Sequence, residues 1–181
     1  SRKYQDDFTV KSYVKYQKIF RSSQLYIRSG YIYDYMLYHD SIQKIYAPYY
    51  MHGLQNSINY RHFFKHGVVM DAGVDYNLTV ARVTEYMHTT VQQHRGALFA
   101  GAKYSIKNVI LNASVRQELG AGKYIRPQFG VALSYSDYRN IITTSVSYAD
   151  KFRYPDLNDL YWQPGGNKFL LPEHGYCVEY N

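Results

Sequence analysis

The chain has 181 residues with a formal net charge of +7, and it contains 23 tyrosines but a single tryptophan and a single cysteine. The basic residues are scattered singly rather than gathered in a run, which argues against nucleic-acid binding, and no run of 18 apolar residues is present to form a transmembrane helix. Cys177 cannot form a disulfide within the chain, and no Cys/His spacing suggests structural zinc.

Alternation of apolar and polar residues predicts the first three strands. The first covers residues 8–17 and is followed by a short turn at residues 21–23, and the second covers residues 25–37. A loop is predicted at residues 39–48, before a third strand at residues 54–64. Tyrosine at this density suits such strands and also the interfacial belts of membrane proteins, because one end of the ring is apolar and the other is polar.

The clearest alternation lies after a tight turn at residues 65–67, and it predicts a strand over residues 68–80. Its apolar positions are Val68, Met70, Ala72, Val74, Tyr76, Leu78 and Val80, and the positions between them include Asp71, Gly73, Asp75, Asn77 and Thr79. A strand of this length could cross a hydrocarbon layer at a tilt. We interpret Asp71 and Asp75 as lining a watery lumen rather than as a catalytic carboxylate pair.

The second half of the chain repeats this pattern after a predicted hairpin loop at residues 82–92. Strands are predicted at residues 98–106, 109–118, 125–135, 142–148 and 176–180, with turns at 107–108, 120–122 and 136–139, and with a long segment at 151–173 before the last strand. Short and long connections alternate, apart from the turn at residues 120–122. Short turns would therefore lie at one end of the sheet and longer loops at the other.

The fold predicted from these patterns is all-β: an antiparallel, up-and-down transmembrane β-barrel wall of about nine strands, as a fragment of a larger barrel. A soluble β-sandwich also alternates apolar and polar residues, so it stays open as the alternative, a secreted binding module. Two features favour the barrel wall: the strands exceed the roughly 5–6 residues common in globular proteins, and hairpin follows hairpin without a long crossover.

No enzymatic motif accompanies this pattern, and we predict neither catalytic residues nor a metal or other cofactor. Residues 120–122, Gly-Ala-Gly, are not followed by a helix as a phosphate-binding loop requires, and no nucleophile elbow or HExxH sequence is present. The seven histidines lack a second ligand at a defined spacing, and solvent-exposed or lumen-facing histidines account for them more simply. They are His39, His52, His62, His66, His88, His94 and His174.

The most distinctive stretch is the long segment before the last strand, which combines helix-breaking prolines and glycines with large apolar side chains. It reads Phe-Arg-Tyr-Pro at residues 152–155, Leu-Asn-Asp-Leu-Tyr-Trp at 157–162, Pro-Gly-Gly-Asn at 164–167 and Leu-Pro-Glu at 171–173. These residues resemble a signature of TonB-dependent outer-membrane receptors, of a Bacteroidetes type and similar to cobalamin and siderophore receptors. Lys168 and Leu171 depart from the commonest form of that signature, where Pro and Lys stand.

The resemblance is specific over residues 96–180 and implies that residues 1–181 are part of such a receptor's C-terminal barrel, with the plug domain and the final strands outside the chain. It implies active uptake of a scarce, bulky nutrient such as cobalamin, an iron-siderophore or haem across the outer membrane of a Gram-negative bacterium. The implied partners are outer-membrane lipid and lipopolysaccharide, the nutrient, and the TonB complex acting through the plug.

The candidate ligand-binding residues lie in segments predicted to be extracellular loops. They are Phe152, Arg153, Tyr161, Trp162, Asn167, His39 and His88. The alternative for the segment at residues 151–173 is a structural clasp, in which Arg153 bonds backbone carbonyls and Asn158 caps a turn. Both interpretations stay open from the sequence.

Overall fold

The structure is a computed structural model that describes residues 3–42, 44–83, 90–120, 125–139, 141–161 and 165–181. Within these residues the chain forms nine strands and one short α-helix, with a 3-10 turn at Lys65–Gly67. The elements are β1 (Lys3–Ile19), β2 (Ser23–Asp40), β3 (Ile45–Phe63), β4 (Val68–Val83), β5 (Thr90–Ile106), β6 (Val109–Gly120), β7 (Gln128–Ser136), β8 (Thr143–Arg153), α1 (Leu157–Tyr161) and β9 (Glu173–Tyr180).

All nine strands belong to one sheet in which every strand pairs antiparallel with its neighbours in chain order. This confirms the predicted all-β, up-and-down architecture of about nine strands. The sandwich alternative is wrong for the described residues, because a sandwich needs a second sheet against which the first buries its apolar side. No such sheet is present among them, and the one sheet is consistent with a piece of a barrel wall.

The sheet has two chemically different faces. The outer face, as we call it, carries the apolar residues of each strand: Met70 pairs with Ala102 and Val74 with Leu98 across β4 and β5. Met70 is 48% exposed and Leu98 50% exposed. The outer face is therefore apolar and uncovered.

The opposite face, which we call the inner face, carries the polar set that includes Asp71 and Asp75. Two open cavities lie on it, one of about 1060 Å³ bounded by β1 to β6 and one of about 510 Å³ bounded by β4 to β8. The sheet thus curves around its polar side, and Asp75 lines the first cavity while Asp71 lines the second. Both carboxylates thus lie on the concave polar face, and the watery lumen stays a prediction.

Several strands are longer than predicted at the end opposite the short turns. The predicted loop at residues 39–48 is wrong in extent, since β2 continues to Asp40 and β3 begins at Ile45. Cross-strand aromatic contacts accompany this extension: the Tyr4 and His39 rings lie 5.0 Å apart, and the Tyr35 and Tyr50 rings 5.2 Å apart. Strand structure also enters the predicted loop at 82–92, of which residues 84–89 lie outside the described part.

The turn between β3 and β4 requires glycine for a steric reason. Gly67 has a φ of +76°, and a Cβ there would collide with the backbone carbonyl of Ser105 on β5. The predicted turn at residues 65–67 is confirmed, and glycine fits it because it has neither the strain of a left-handed side chain nor the clashing atom. Within the described residues, no helix is both long and apolar enough to span a bilayer.

Candidate functional site

Arg153 closes the base of the long connection between β8 and β9. Its guanidinium lies 3.2 Å from a carboxylate oxygen of Asp156, 3.4 Å from one of Asp159 and 3.7 Å from one of Glu173. The first two acceptors belong to the connection and the third to the first residue of β9. One cation thus joins the end of β8, the α1 segment and the start of β9.

The connection is also organised by its own hydrogen bonds. The Asp159 side chain accepts a bond from the Asp156 amide at 2.9 Å, and the Asp159 carbonyl accepts one from the Asn167 amide at 2.9 Å. The Asn167 side-chain oxygen accepts a bond from the Phe169 amide at 2.9 Å. The Lys168 ammonium lies 5.4 Å from the centre of the Tyr161 ring. These contacts are typical of a compact surface loop packed on its own side chains.

The connection contacts the inner face through Tyr154 and Arg95. The Arg95 guanidinium lies 4.6 Å from the centre of the Tyr154 ring and donates a hydrogen bond of 3.3 Å to the Pro155 carbonyl. The Tyr154 hydroxyl is buried and makes no hydrogen bond with the described residues, and burial raises the pKa of this phenol. A cavity of about 330 Å³ lies here, with Glu118 and Asp156 among its lining residues.

A charged network on the inner face lies below this contact. Arg116 of β6 donates to Asp75 of β4 at 2.7 Å and to Glu118 of its own strand at 2.6 Å. The Arg116 guanidinium also lies 6.0 Å from the centre of the Phe99 ring. Phe99 covers its cross-strand partner Gly73, where a Cβ would come within 2.5 Å of the ring. The network and the ring form a ridge between the two larger cavities.

The predicted site residues do not all lie together. Phe152 and Arg153 end β8, and the Phe152 ring lies 4.7 Å from that of Tyr154 and 5.2 Å from that of His174. Tyr161 ends α1, and Asn167 lies in the same connection. Trp162 and His88 lie outside the described residues.

The loop position predicted for His39 is wrong. His39 lies in β2, in register with Tyr4 of β1 and Tyr46 of β3. Its ring stacks on that of Tyr4 at 5.0 Å and meets the edge of Tyr46 at 6.2 Å. β2 stays paired with β1 and β3 beyond its predicted end because aromatic rings stack across the neighbouring strands. The alternation of residues within one strand does not reveal such cross-strand contacts.

Arg153 does tie the connection together, as the clasp interpretation predicts, but the bonding partners differ from the predicted ones. Arg153 bonds carboxylates rather than backbone carbonyls, and Asp159 rather than Asn158 caps the turn. The ligand-binding role of Phe152, Arg153, Tyr161 and Asn167 stays a prediction.

Sequence reasoning missed Arg95, Arg116 and Glu118. Their positions on the polar side of β5 and β6 could have been read from the alternation. Their partners could not, because the contacts of Arg116 with Asp75 and of Arg95 with Tyr154 depend on strand register and on the path of the chain after β8.

Replacing Arg153 with glutamine is expected to loosen the connection without unfolding the sheet. Exposed ion pairs contribute roughly 0–1 kcal/mol each, and the Arg153 side chain is 57% exposed. We expect cleavage of residues 154–172 by proteinase K to become several-fold faster, with an unchanged midpoint of thermal unfolding. The control is Lys151→Gln, which removes a neighbouring cation of β8 that makes no ion pair among the described residues. Equal cleavage rates in both variants would contradict the clasp.

No protein-family model matches the chain. Over 113 residues, which are 59% of this chain, the sequence is 33% identical to the vitamin B12 transporter BtuB of Vibrio vulnificus (strain YJ016). The matched region is 18% of that protein, so the chain spans less than a fifth of its relative. What the chain resembles by sequence is thus a transporter rather than an enzyme.

Proposed function

We propose that this chain forms part of the wall of an outer-membrane β-barrel, in a TonB-dependent receptor that takes up a scarce, bulky nutrient. The observation that carries the proposal is the contrast between the two faces of a single curved sheet. An apolar face of this extent, without a covering layer, is suited to hydrocarbon, and a polar concave face is suited to a water-filled lumen.

Polar side chains on the outer face support this placement because they bond one another. Ser29 donates to Asn56 at 2.8 Å across β2 and β3. The Tyr31 hydroxyl lies 2.8 Å from Nδ1 of His52, and a matching contact of 2.9 Å joins Tyr76 to His94. Hydrocarbon offers no hydrogen bonds, so a polar group facing it is costly unless a protein partner satisfies it.

Aromatic residues near the far ends of β2 and β3 also indicate where the sheet meets the lipid headgroups. Tyr35, His39, Tyr46 and Tyr50 lie on the outer face toward the end that carries the long connection. Aromatic side chains with a polar tip favour the interface between hydrocarbon and water, and barrels carry a girdle of them at each interface. The long connection would then lie outside the cell, where basic loop residues could contact lipopolysaccharide phosphates.

The nutrient and the partners follow from the relative and from the signature at residues 152–173. Cobalamin is the first candidate because the similar protein is a vitamin B12 transporter, and an iron-siderophore or haem are the alternatives. Energy would come from the TonB complex through a plug domain that these residues do not include. The Bacteroidetes affiliation stays a prediction of the resemblance alone.

Uptake by the full-length receptor in a host strain lacking its own cobalamin receptor tests the proposal. We expect growth on limiting cyanocobalamin to be restored, and to be lost when the tonB gene of the host is deleted. Purified receptor in detergent should bind cyanocobalamin at least about tenfold more tightly than haem. Growth that persists without TonB, or a protein that stays dispersed in buffer without detergent, would contradict the proposal.

A further inference from the structure

Three cations form a patch on the inner face at the β1 edge of the sheet. Lys15 lies on β1, Arg28 on β2 and Arg61 on β3, and all three line the cavity of about 1060 Å³. Lys15 and Arg28 are direct cross-strand partners. Like charges placed directly opposite each other destabilise a sheet, so an anion bound between Lys15 and Arg28 would relieve their repulsion.

The described residues do not pair these cations. Arg61 is in register with Asp71 of β4, but the Asp71 carboxylate lies beside Gly101 of β5 and forms no ion pair with Arg61. Asp75 is the one carboxylate among the described lining residues of this cavity, and it already accepts a bond of 2.7 Å from Arg116. Among the described residues, Lys15, Arg28 and Arg61 have no carboxylate within ion-pair distance. The Lys15 ammonium lies 5.9 Å from the centre of the Tyr26 ring, and Nε of Arg61 is buried without a hydrogen-bond partner.

Neutral hydrogen-bonding groups complete the patch. Ser57 of β3 is the cross-strand partner of Arg28, and Gln55 is the partner of Gly30 on β2. Gly30 adds no side chain beside Arg28, and a Cβ there would be in ordinary van der Waals contact with its neighbours, the nearest at 3.7 Å. A group held between Lys15 and Arg28 would thus also be within reach of a hydroxyl and a carboxamide.

We propose that this patch, formed by Lys15, Arg28 and Arg61, is a binding site for a multivalent oxyanion bearing phosphate or carboxylate groups. Adjacent strands lie about 4.8 Å apart, and Arg61 lies about 13 Å further along β3 than Ser57, the partner of Arg28. Two anionic groups on one molecule can therefore meet cations on neighbouring strands. The site goes beyond the proposed uptake function, since it requires neither cobalamin nor TonB.

Calorimetric titration of the full-length protein in detergent with pyrophosphate, at low ionic strength, tests the site. We expect saturable binding that weakens as salt is added. The double variant K15Q/R28Q should bind at least about tenfold more weakly, because charge-assisted bonds to oxyanions are the strong ones. The matched control is K103Q, which removes an inner-face cation that lines the other large cavity, and its affinity should stay within about twofold.

Absence of pyrophosphate binding by the unmodified protein overturns the proposal, and so does an equal loss in K103Q, which would indicate general surface charge. Thermal unfolding gives a second readout that a purely structural role would not produce. Without anion, R28Q should unfold at a slightly higher temperature because the repulsion is relieved, and pyrophosphate should stabilise the unmodified protein and K103Q more than it stabilises R28Q. Should the double variant fail to fold, K15Q, a change at an exposed position of β1, should still weaken binding about threefold.

Discussion

Replacing Arg116 with glutamine is expected to lower the free energy of unfolding by about 2–3 kcal/mol, because hydrogen bonds to charged groups contribute roughly 1.5–3 kcal/mol. Arg116 serves two carboxylates at once, Asp75 at 2.7 Å and Glu118 at 2.6 Å. The Glu118 side chain is only 11% exposed, so water cannot fully replace the lost partner. Urea unfolding of the protein in detergent micelles measures the change.

The triple variant R116Q/D75N/E118Q distinguishes two causes of the lost stability: carboxylates left without a partner, and the packing of the arginine side chain. It removes the carboxylates together with the cation, so we expect it to recover most of the stability that R116Q loses. K103Q is the matched control for removing an inner-face cation without a described ion pair, and it should change stability by less than about 0.5 kcal/mol. A triple variant no more stable than R116Q would contradict the network.

Replacing Leu98 with arginine should be comparably destabilising, by about 2–4 kcal/mol, which is the cost of a cation on the lipid face near the bilayer midplane. Leu98 is 50% exposed on the outer face and pairs with Val74. If hydrocarbon covers this face, the guanidinium has no water or carboxylate to meet there. The fraction of protein folded in phospholipid vesicles, read from the gel shift of unheated samples, measures the cost.

Ser147→Arg supplies the matched control on the inner face. Ser147 lines the cavity of about 510 Å³ and pairs across β8 and β9 with Glu179. An arginine there meets solvent and a carboxylate, so we expect folding in vesicles to stay within about twofold of the unmodified protein. Equal losses in L98R and S147R would show that the two faces meet the same medium, which contradicts a membrane wall.

The alternation in the sequence was sufficient to predict the central part of each strand and the face of the sheet on which each side chain lies. Val74, Leu98 and their neighbours share one side because a period of two leaves no other choice once one face is apolar. The ends of the strands were predicted less accurately. Around His39 and Tyr46 aromatic residues occupy both neighbouring strands, and the cross-strand stacking that extends β2 and β3 cannot be seen in either strand alone.

The candidate site was predictable in its segment but not in its contacts. The prolines and glycines of residues 155–172 indicated a packed loop, and Arg153 was identified as a possible clasp. The carboxylate acceptors of Arg153 could not be predicted, because they depend on how the folded chain places Asp159 and Glu173 beside it. The five-residue helix α1 was missed because it is shorter than the window in which a helical period can be recognised.

The two edges of the sheet constrain any ring that contains it. Successive strands reverse direction, so β1 and β9, the first and ninth in the order, run the same way. Joining them directly would create a parallel pair. An entirely antiparallel ring therefore needs an odd number of additional strands between β9 and β1. The total is then even, as it is in bacterial single-chain barrels.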